Sequence, residues 1–239
     1  MRRLLFSLVV LAGCGGGPAA SVEAEEVTPE SAAAPAKADP PGTYMGRELA
    51  DTMSHLGADW LTRAERDAEE DTTLMHAQLG LQPGDVVCDI GAGNGYHTLR
   101  MAKAVGDAGK AIGVDLQPQM LALLRERAAT EGIGNVETIL ATADDPKLPP
   151  ETCDLILLVD VYHELSDPAA VLGHLSRALD SGGRIALLEY RAEDPDVPIK
   201  RLHKMSKAQI LAEFGANSLR LESEFDGLPW QHMMFFVPG

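Results

Sequence analysis

Short unbroken apolar runs alternate along this chain with longer stretches in which apolar residues recur every three or four positions. Val86 to Ile90 is the first run, and glycines follow at alternate positions, Gly91, Gly93 and Gly95. A run that is apolar on both faces predicts a strand buried inside a parallel sheet. Leu99, Met101, Ala102 and Val105 then fall at helical spacing. The alternation repeats downstream. Ala111 to Val114 predicts a strand, and Met120, Leu121, Leu124 and Ala128 share one face of a helix from Pro118 to Glu131. Val136 to Leu140 and Cys153 to Val159 predict two more strands. Val171, Leu172, Leu175 and Leu179 mark a helix from Pro168, and Ser181-Gly182-Gly183 predicts a turn into a fifth strand, Arg184 to Tyr190. Ser206 is placed to cap a helix over Lys207 to Phe214. Leu219 to Phe225 and Met233 to Val237, joined by a Gly/Pro turn, predict a closing hairpin. Upstream, Leu74, Met75, Gln78 and Leu79 have helical spacing, with Gly80 as the C-cap. Strands alternating with helices predict one α/β domain with a mostly parallel sheet.

The N-terminal pattern is different. Met1-Arg2-Arg3 is basic, Leu4 to Leu11 is apolar, and Ala12-Gly13-Cys14 is small. That order describes a secretory signal, and the run is far short of the ~20 residues that span a bilayer. Gly15 to Thr43 is Gly, Ala, Pro, Ser and Glu with no periodicity, so it predicts a flexible acidic tether that builds no core. About 195 of the 239 residues remain, enough for one domain with a full core. The expected organisation is a signal over 1–13, a tether over 14–43 and a domain over 44–239, with 44–81 as a helical lid segment.

Charge narrows the partners. The formal net charge is −16, and loss of Arg2 and Arg3 would make it −18. Such a field opposes nucleic acid, and it leaves a small-molecule substrate as the expected partner. Three cysteines make no disulfide framework. Cys88 and Cys153 fall on strands expected side by side, three residues out of register, about 10 Å at strand rise. That predicts two buried thiols rather than a bridge.

The chemistry gathers at the strand ends. Strand, glycine turn and helix make a site for a nucleotide-like ligand at a helix N-terminus. The spacing is G-x-G-x-G, whereas a dinucleotide fingerprint needs G-x-G-x-x-G. Asp89, two places before Gly91, would repel a pyrophosphate but suit an ammonium or sulfonium. Asp115 closes the second strand, where an acid binds ribose hydroxyls. Together these residues resemble motif I and the acidic loop of class I S-adenosylmethionine (SAM)-dependent methyltransferases.

The resemblance implies a Rossmann-like fold: a mostly parallel seven-stranded sheet, helices on both faces and an antiparallel last strand. It implies SAM as cofactor, with Asp89, Gly91, Ala92, Gly93 and Gly95 around the methionine end and Asp115 and Leu116 at the ribose. The acid that commonly meets the adenine amino group is expected at Asp144, beside Ala143, because Thr142 occupies the usual aspartate position. Asp160, Tyr162, His163 and Glu164 follow the fourth strand and face the mouth where methyl transfer would occur. His163 is the favoured base, His232 the second, and Tyr162 and Glu164 their neighbours; His163 as a residue that only shapes the loop stays open. Tyr44, Arg47, Trp60 and Arg63 are candidates for the lid or for ordinary packing. No metal site is expected.

Leu11-Ala12-Gly13-Cys14 resembles a bacterial lipobox, which implies cleavage, lipidation of Cys14 and anchoring in the cell envelope by several acyl chains. Without use of the signal the protein would be cytoplasmic. The expected activity is methyl transfer from SAM to a small acceptor by a monomer. The alternatives are a lipoprotein that binds SAM without turnover and, disfavoured by the turn spacing and Asp89, a nicotinamide-dependent oxidoreductase.

Overall fold

The computed structural model describes residues 39–239. The expected signal, Cys14 and nearly all of the expected tether therefore lie outside the described residues. The main sheet contains β1 (Val86–Ile90), β2 (Lys110–Asp115), β3 (Val136–Leu140), β4 (Cys153–Val159), β5 (Leu179–Arg191), β6 (Leu219–Phe225) and β7 (Gln231–Pro238). Their spatial order is β3-β2-β1-β4-β5-β7-β6. The first five strands pair in parallel, and β7 inserts antiparallel to both β5 and β6. This is the fold the sequence resemblance implies, a Rossmann-like class I methyltransferase sheet with an antiparallel last strand.

The longer helices are α1 (Thr72–Gln78), α2 (Tyr96–Val105), α3 (Pro118–Thr130), α4 (Pro168–Ala178) and α5 (Lys207–Ala216), and a short one spans Arg66–Glu70. Side chains on β1 alternate between two cores. Cys88 and Ile90 join one cluster with Leu172, Ile210 and Phe214. Val87 joins the other with Met101, Ala102 and Val105. Burial on both faces is why this strand reads as an unbroken apolar run.

The strand order reverses direction beside β1, which is where an open α/β sheet binds ligands. Before α1, a 3₁₀ helix over His55–Thr62 lies across that end of the sheet. Asn94 Nδ2 donates to the Ala58 carbonyl, and Gln117 bridges to the Met53 carbonyl and the His55 N–H.

Two local features depart from the sequence reading. Ser181-Gly182-Gly183 is no separate turn: β5 runs unbroken from Leu179, and the partner of β4 jumps from Leu179 to Arg184 between Cys153 and Leu155. The second is that Cys153 shares a core cluster with Cys88, and the two form a disulfide with a Cα–Cα distance of 6.0 Å. A regular strand would have kept them too far apart to bridge.

A further two-residue strand, Lys204–Met205, pairs with Tyr190–Arg191 of β5. Beyond Val159 β4 no longer flanks β5, and the returning chain takes that edge. It carries His203 to the mouth of the sheet. Among the described residues, no helix is long and apolar enough to cross a membrane.

Candidate active site

The turn after β1 is built by backbone geometry. Gly91 and Gly93 have φ of +68° and +54°, a region that costs a side chain strain. Their neighbourhood leaves no room either: a Cβ on Gly93 would sit 2.5 Å from Leu61 Cδ1. The N–H groups of Gly91 and Ala92 both bond the Val114 carbonyl, at 2.8 and 3.0 Å. Gly95 lies at the N-terminus of α2.

Asp115 ties this turn to β2. Its Oδ2 accepts from the Gly93 N–H at 2.9 Å and its Oδ1 from the Gln117 N–H at 2.8 Å. Burial raises the Asp115 carboxyl above its usual range, opposed by these N–H groups. Asp89 lies beneath the turn and bonds the Thr98 hydroxyl at 2.5 Å. Burial, against that hydrogen bond and with the charge of Asp115 adding, pushes Asp89 up to about 7.

A cavity of about 550 Å³ opens over this end of the sheet, within the usual range of preformed ligand clefts. Gly91, Gly93, Asp115, Leu116, Thr142 and Ala143 line one end. His163, Glu164, Ile199, Lys200 and His203 line it as well, together with Asp160 and Val161. Trp60, Leu61 and Arg63 of the segment before α1 reach the same cavity.

One wall is a buried charge network. Glu70 accepts from Arg63 at 2.6 Å, from Arg66 at 2.8 Å and from the Tyr190 hydroxyl at 3.0 Å. Asp160 sits at φ +53° just after β4. Its Oδ2 accepts from Gln231 at 2.8 Å, while its Oδ1 is buried with no partner among the described residues. Burial and the charges of Glu70 and Glu189 hold its carboxyl well above the ordinary range. An acceptor oxygen left unpaired at the cavity suits a ligand that brings a donor or a positive charge.

His163 is gripped from behind. Glu189 takes its backbone N–H at 3.1 Å on one oxygen and its Nδ1 at 2.6 Å on the other. Burial alone would lower the imidazole, but Glu189, with Glu164 and Asp160, outweighs it and the net direction is up. His163 Nε2 meets His203 Nδ1 at 3.0 Å. Burial and the neighbouring His163 lower His203.

Several sequence candidates lie elsewhere. Tyr162 is wholly buried and donates to Glu213 at 2.8 Å, against Phe214, so it is turned away from the mouth. His232 points to Glu193 at 2.8 Å and does not line the cavity. Asp144 is exposed and accepts from the Thr142 hydroxyl at 2.8 Å; Thr142 and Ala143 reach the cavity, Asp144 does not. Asp89, Ala92 and Gly95 support the turn from behind its lining. Of the lid candidates, Trp60 and Arg63 reach the cavity, whereas Tyr44 bonds Asn217 and Arg47 pairs with Glu213. Sequence reasoning missed His203, Arg66 and Glu70. The only sequence signal for His203 is its place just past 192–201, a charged, proline-bearing stretch.

Comparison with known proteins agrees with this geometry. Residues 81–226 match the family described as "Methyltransferase domain". The ubiquinone/menaquinone biosynthesis C-methyltransferase UbiE of Marinomonas sp. is 31% identical over 140 residues, 58% of this chain and 55% of that protein. The same-named protein of Teredinibacter turnerae is 34% identical over 112 residues, 46% of this chain and 45% of its own. The chain thus spans about half the length of these relatives. A SAM-dependent methyltransferase from Aquifex aeolicus superposes with a TM-score of 0.73 at 23% identity, covering 77% of this chain and 98% of that one. Magnesium protoporphyrin IX methyltransferase from Synechocystis, solved with bound SAM, superposes at 0.52 and 19% identity over 77% and 79%. With the match extending over more than half of its length, this chain belongs to the methyltransferase-domain family of SAM-dependent methyltransferases.

Proposed function

We propose that the protein transfers a methyl group from SAM to a small acceptor with an apolar body and a polar reacting end. The observation that carries this is the single cavity that joins the glycine turn held by Asp115 to the polar group around His163. When bound, SAM supplies an electrophilic methyl carbon on a sulfonium. Asp115 and Leu116 lie where a ribose is expected, and Thr142 and Ala143 beside the adenine position. The unpaired Asp160 Oδ1 favours a hydrogen-bonding group, which an amino acid moiety carries. The enzyme's share of the catalysis is to hold two reactants in line and exclude water. Trp60, Leu61 and Arg63 serve the exclusion.

The acceptor end is flanked by Met53, Val161, Leu165 and Ile199, which suits an apolar body. The relatives named for C-methylation in ubiquinone/menaquinone biosynthesis support an acceptor of that kind. His163, held by Glu189, and His203 are the groups that would receive an acceptor proton if one must leave. Calorimetric titration with SAM, S-adenosylhomocysteine and NAD tests the reading. The first two should bind and NAD should not. A screen of metabolite extracts with methyl-labelled SAM would then name the acceptor, and absence of any labelled product would leave a binding protein instead.

We also infer export and lipid anchoring through Cys14. The signal-like residues 1–13 support it, and so does the Cys88–Cys153 disulfide, since such bonds persist in oxidising compartments. Cys14→Ser should move the protein from the membrane fraction to the soluble one. A mutant that still pellets with membranes would end the lipobox reading.

A further inference from the structure

We propose that His163, Glu164 and His203 form a binding site for a divalent first-row transition-metal ion such as Zn²⁺ at the acceptor end of the cavity. The three donor atoms already converge. His163 Nε2 lies 3.0 Å from His203 Nδ1 and 3.8 Å from Glu164 Oε1, and His203 Nδ1 lies 3.7 Å from that same oxygen. A circle through three points so spaced has a radius of about 2 Å, the length of Zn–N and Zn–O bonds.

The support around the donors is that of a metal site. Glu189 holds His163 through Nδ1, so the proton belongs on that nitrogen and the Nε2 lone pair faces the other two donors. A carboxylate behind a ligating imidazole fixes its tautomer and ring orientation. Glu164 is divided in the same way: Oε2 accepts the Met53 N–H at 3.1 Å, while Oε1 faces the histidines. Both carboxylates also offset the charge of an ion. Two imidazoles and one carboxylate select transition metals and zinc over magnesium and calcium, which favour oxygen-only cages.

Three protein ligands leave coordination positions open, as catalytic sites do. All three residues line the cavity that also contains Gly91 and Asp115. With an ion bound, the two imidazoles would ligate it instead of receiving a proton, and the open positions would take an oxygen of the acceptor, a role that rests on the methyl-transfer reading; the ion site itself does not.

The test uses the untagged full chain, stripped with chelator and titrated with Co²⁺. The expected result is one Co²⁺ per chain with visible absorption bands, displaced by Zn²⁺ and untouched by Mg²⁺. His203→Ala, on a half-exposed turn, should weaken Co²⁺ at least tenfold while circular dichroism and SAM titration stay as in the wild type. Glu189→Gln, which removes the carboxylate behind His163, should weaken it roughly 10- to 100-fold. Absence of Co²⁺ bands, or a His203→Ala variant with wild-type affinity, would overturn the proposal. A wild-type protein that binds SAM but no Co²⁺ would sink the ion site alone; one that binds Co²⁺ but no SAM would sink the methyl-transfer reading alone.

Discussion

The backbone N–H of Gly93 donates to Asp115 Oδ2 at 2.9 Å, so the acid that closes β2 also fixes the glycine turn that closes β1. Asp115 Oδ1 simultaneously holds the Gln117 N–H. One carboxylate therefore positions both loops that border the cavity end assigned to the nucleoside, and it keeps further lone pairs for a diol.

Asp115→Asn should expose that double duty. The amide has one acceptor oxygen, and its NH₂ would face one of the two N–H donors. Loss of hydrogen bonds to a charged acceptor costs about 1.5–3 kcal/mol. SAM affinity should fall roughly ten- to hundredfold in calorimetry, with circular dichroism unchanged. Unchanged affinity would remove Asp115 from the site.

Asp89 should make stability fall as pH rises. Its folded-state carboxyl is pushed up to about 7 by burial, above its value of 3.8 in the open chain. Between those values the folded protein holds a proton that the unfolded chain releases, so the contribution is greatest below pH 4 and is lost by pH 7. Asp89→Asn removes the dependence. Relative to wild type, the mutant should gain on the order of 2 kcal/mol in unfolding free energy between pH 5 and pH 8. Denaturant unfolding at the two pH values measures this. Parallel shifts in both proteins would mean that Asp89 ionises freely.

The strands and the glycine turn were legible because burial on both faces writes β1 and β4 as apolar runs, and because G-x-G-x-G after an acid is a local signature. What the pattern missed depends on individual side-chain contacts, most of them remote in sequence. Tyr162 follows β4 like His163, but the Arg47–Glu213 pair draws its hydroxyl into the core. His203 reaches the mouth only because Lys204–Met205 pairs beside the end of β5. Asp144 was expected at the cavity, yet its carboxylate is satisfied by Thr142 in the same loop. The disulfide joins residues with a sequence separation of 65, a pairing that regular strand spacing does not reveal.

That disulfide should be a large stabilising element. It closes a loop with a sequence separation of 65, for which chain entropy assigns about 4 kcal/mol. Reducing agent should lower the melting temperature of the wild type by roughly 8–16 °C, at the ~2–4 °C that each kcal/mol is worth for a domain of this size. A Cys88→Ala/Cys153→Ala variant should melt lower and ignore the reductant. Equal reductant sensitivity in both proteins would assign the effect to another cause.

The lid should depend on one glutamine. Gln117 follows Asp115 by two residues, and its amide spans to the segment that covers the cavity. Its Nε2 donates to the Met53 carbonyl at 2.9 Å, and its Oε1 accepts the His55 N–H at 2.8 Å. Met53 in turn gives its N–H to Glu164, so the segment is clamped between the two ends of the cavity. Gln117→Ala removes two neutral hydrogen bonds, about 1–3 kcal/mol together. The segment should then open more often, and SAM should dissociate roughly 5- to 100-fold faster while Asp115 still positions the turn. Limited proteolysis should cut between residues 52 and 63 faster in the mutant, and SAM should slow the cut in both proteins. Wild-type proteolysis together with a wild-type dissociation rate would show that Leu61 on Gly93 and Asn94 on Ala58 are enough to hold the lid.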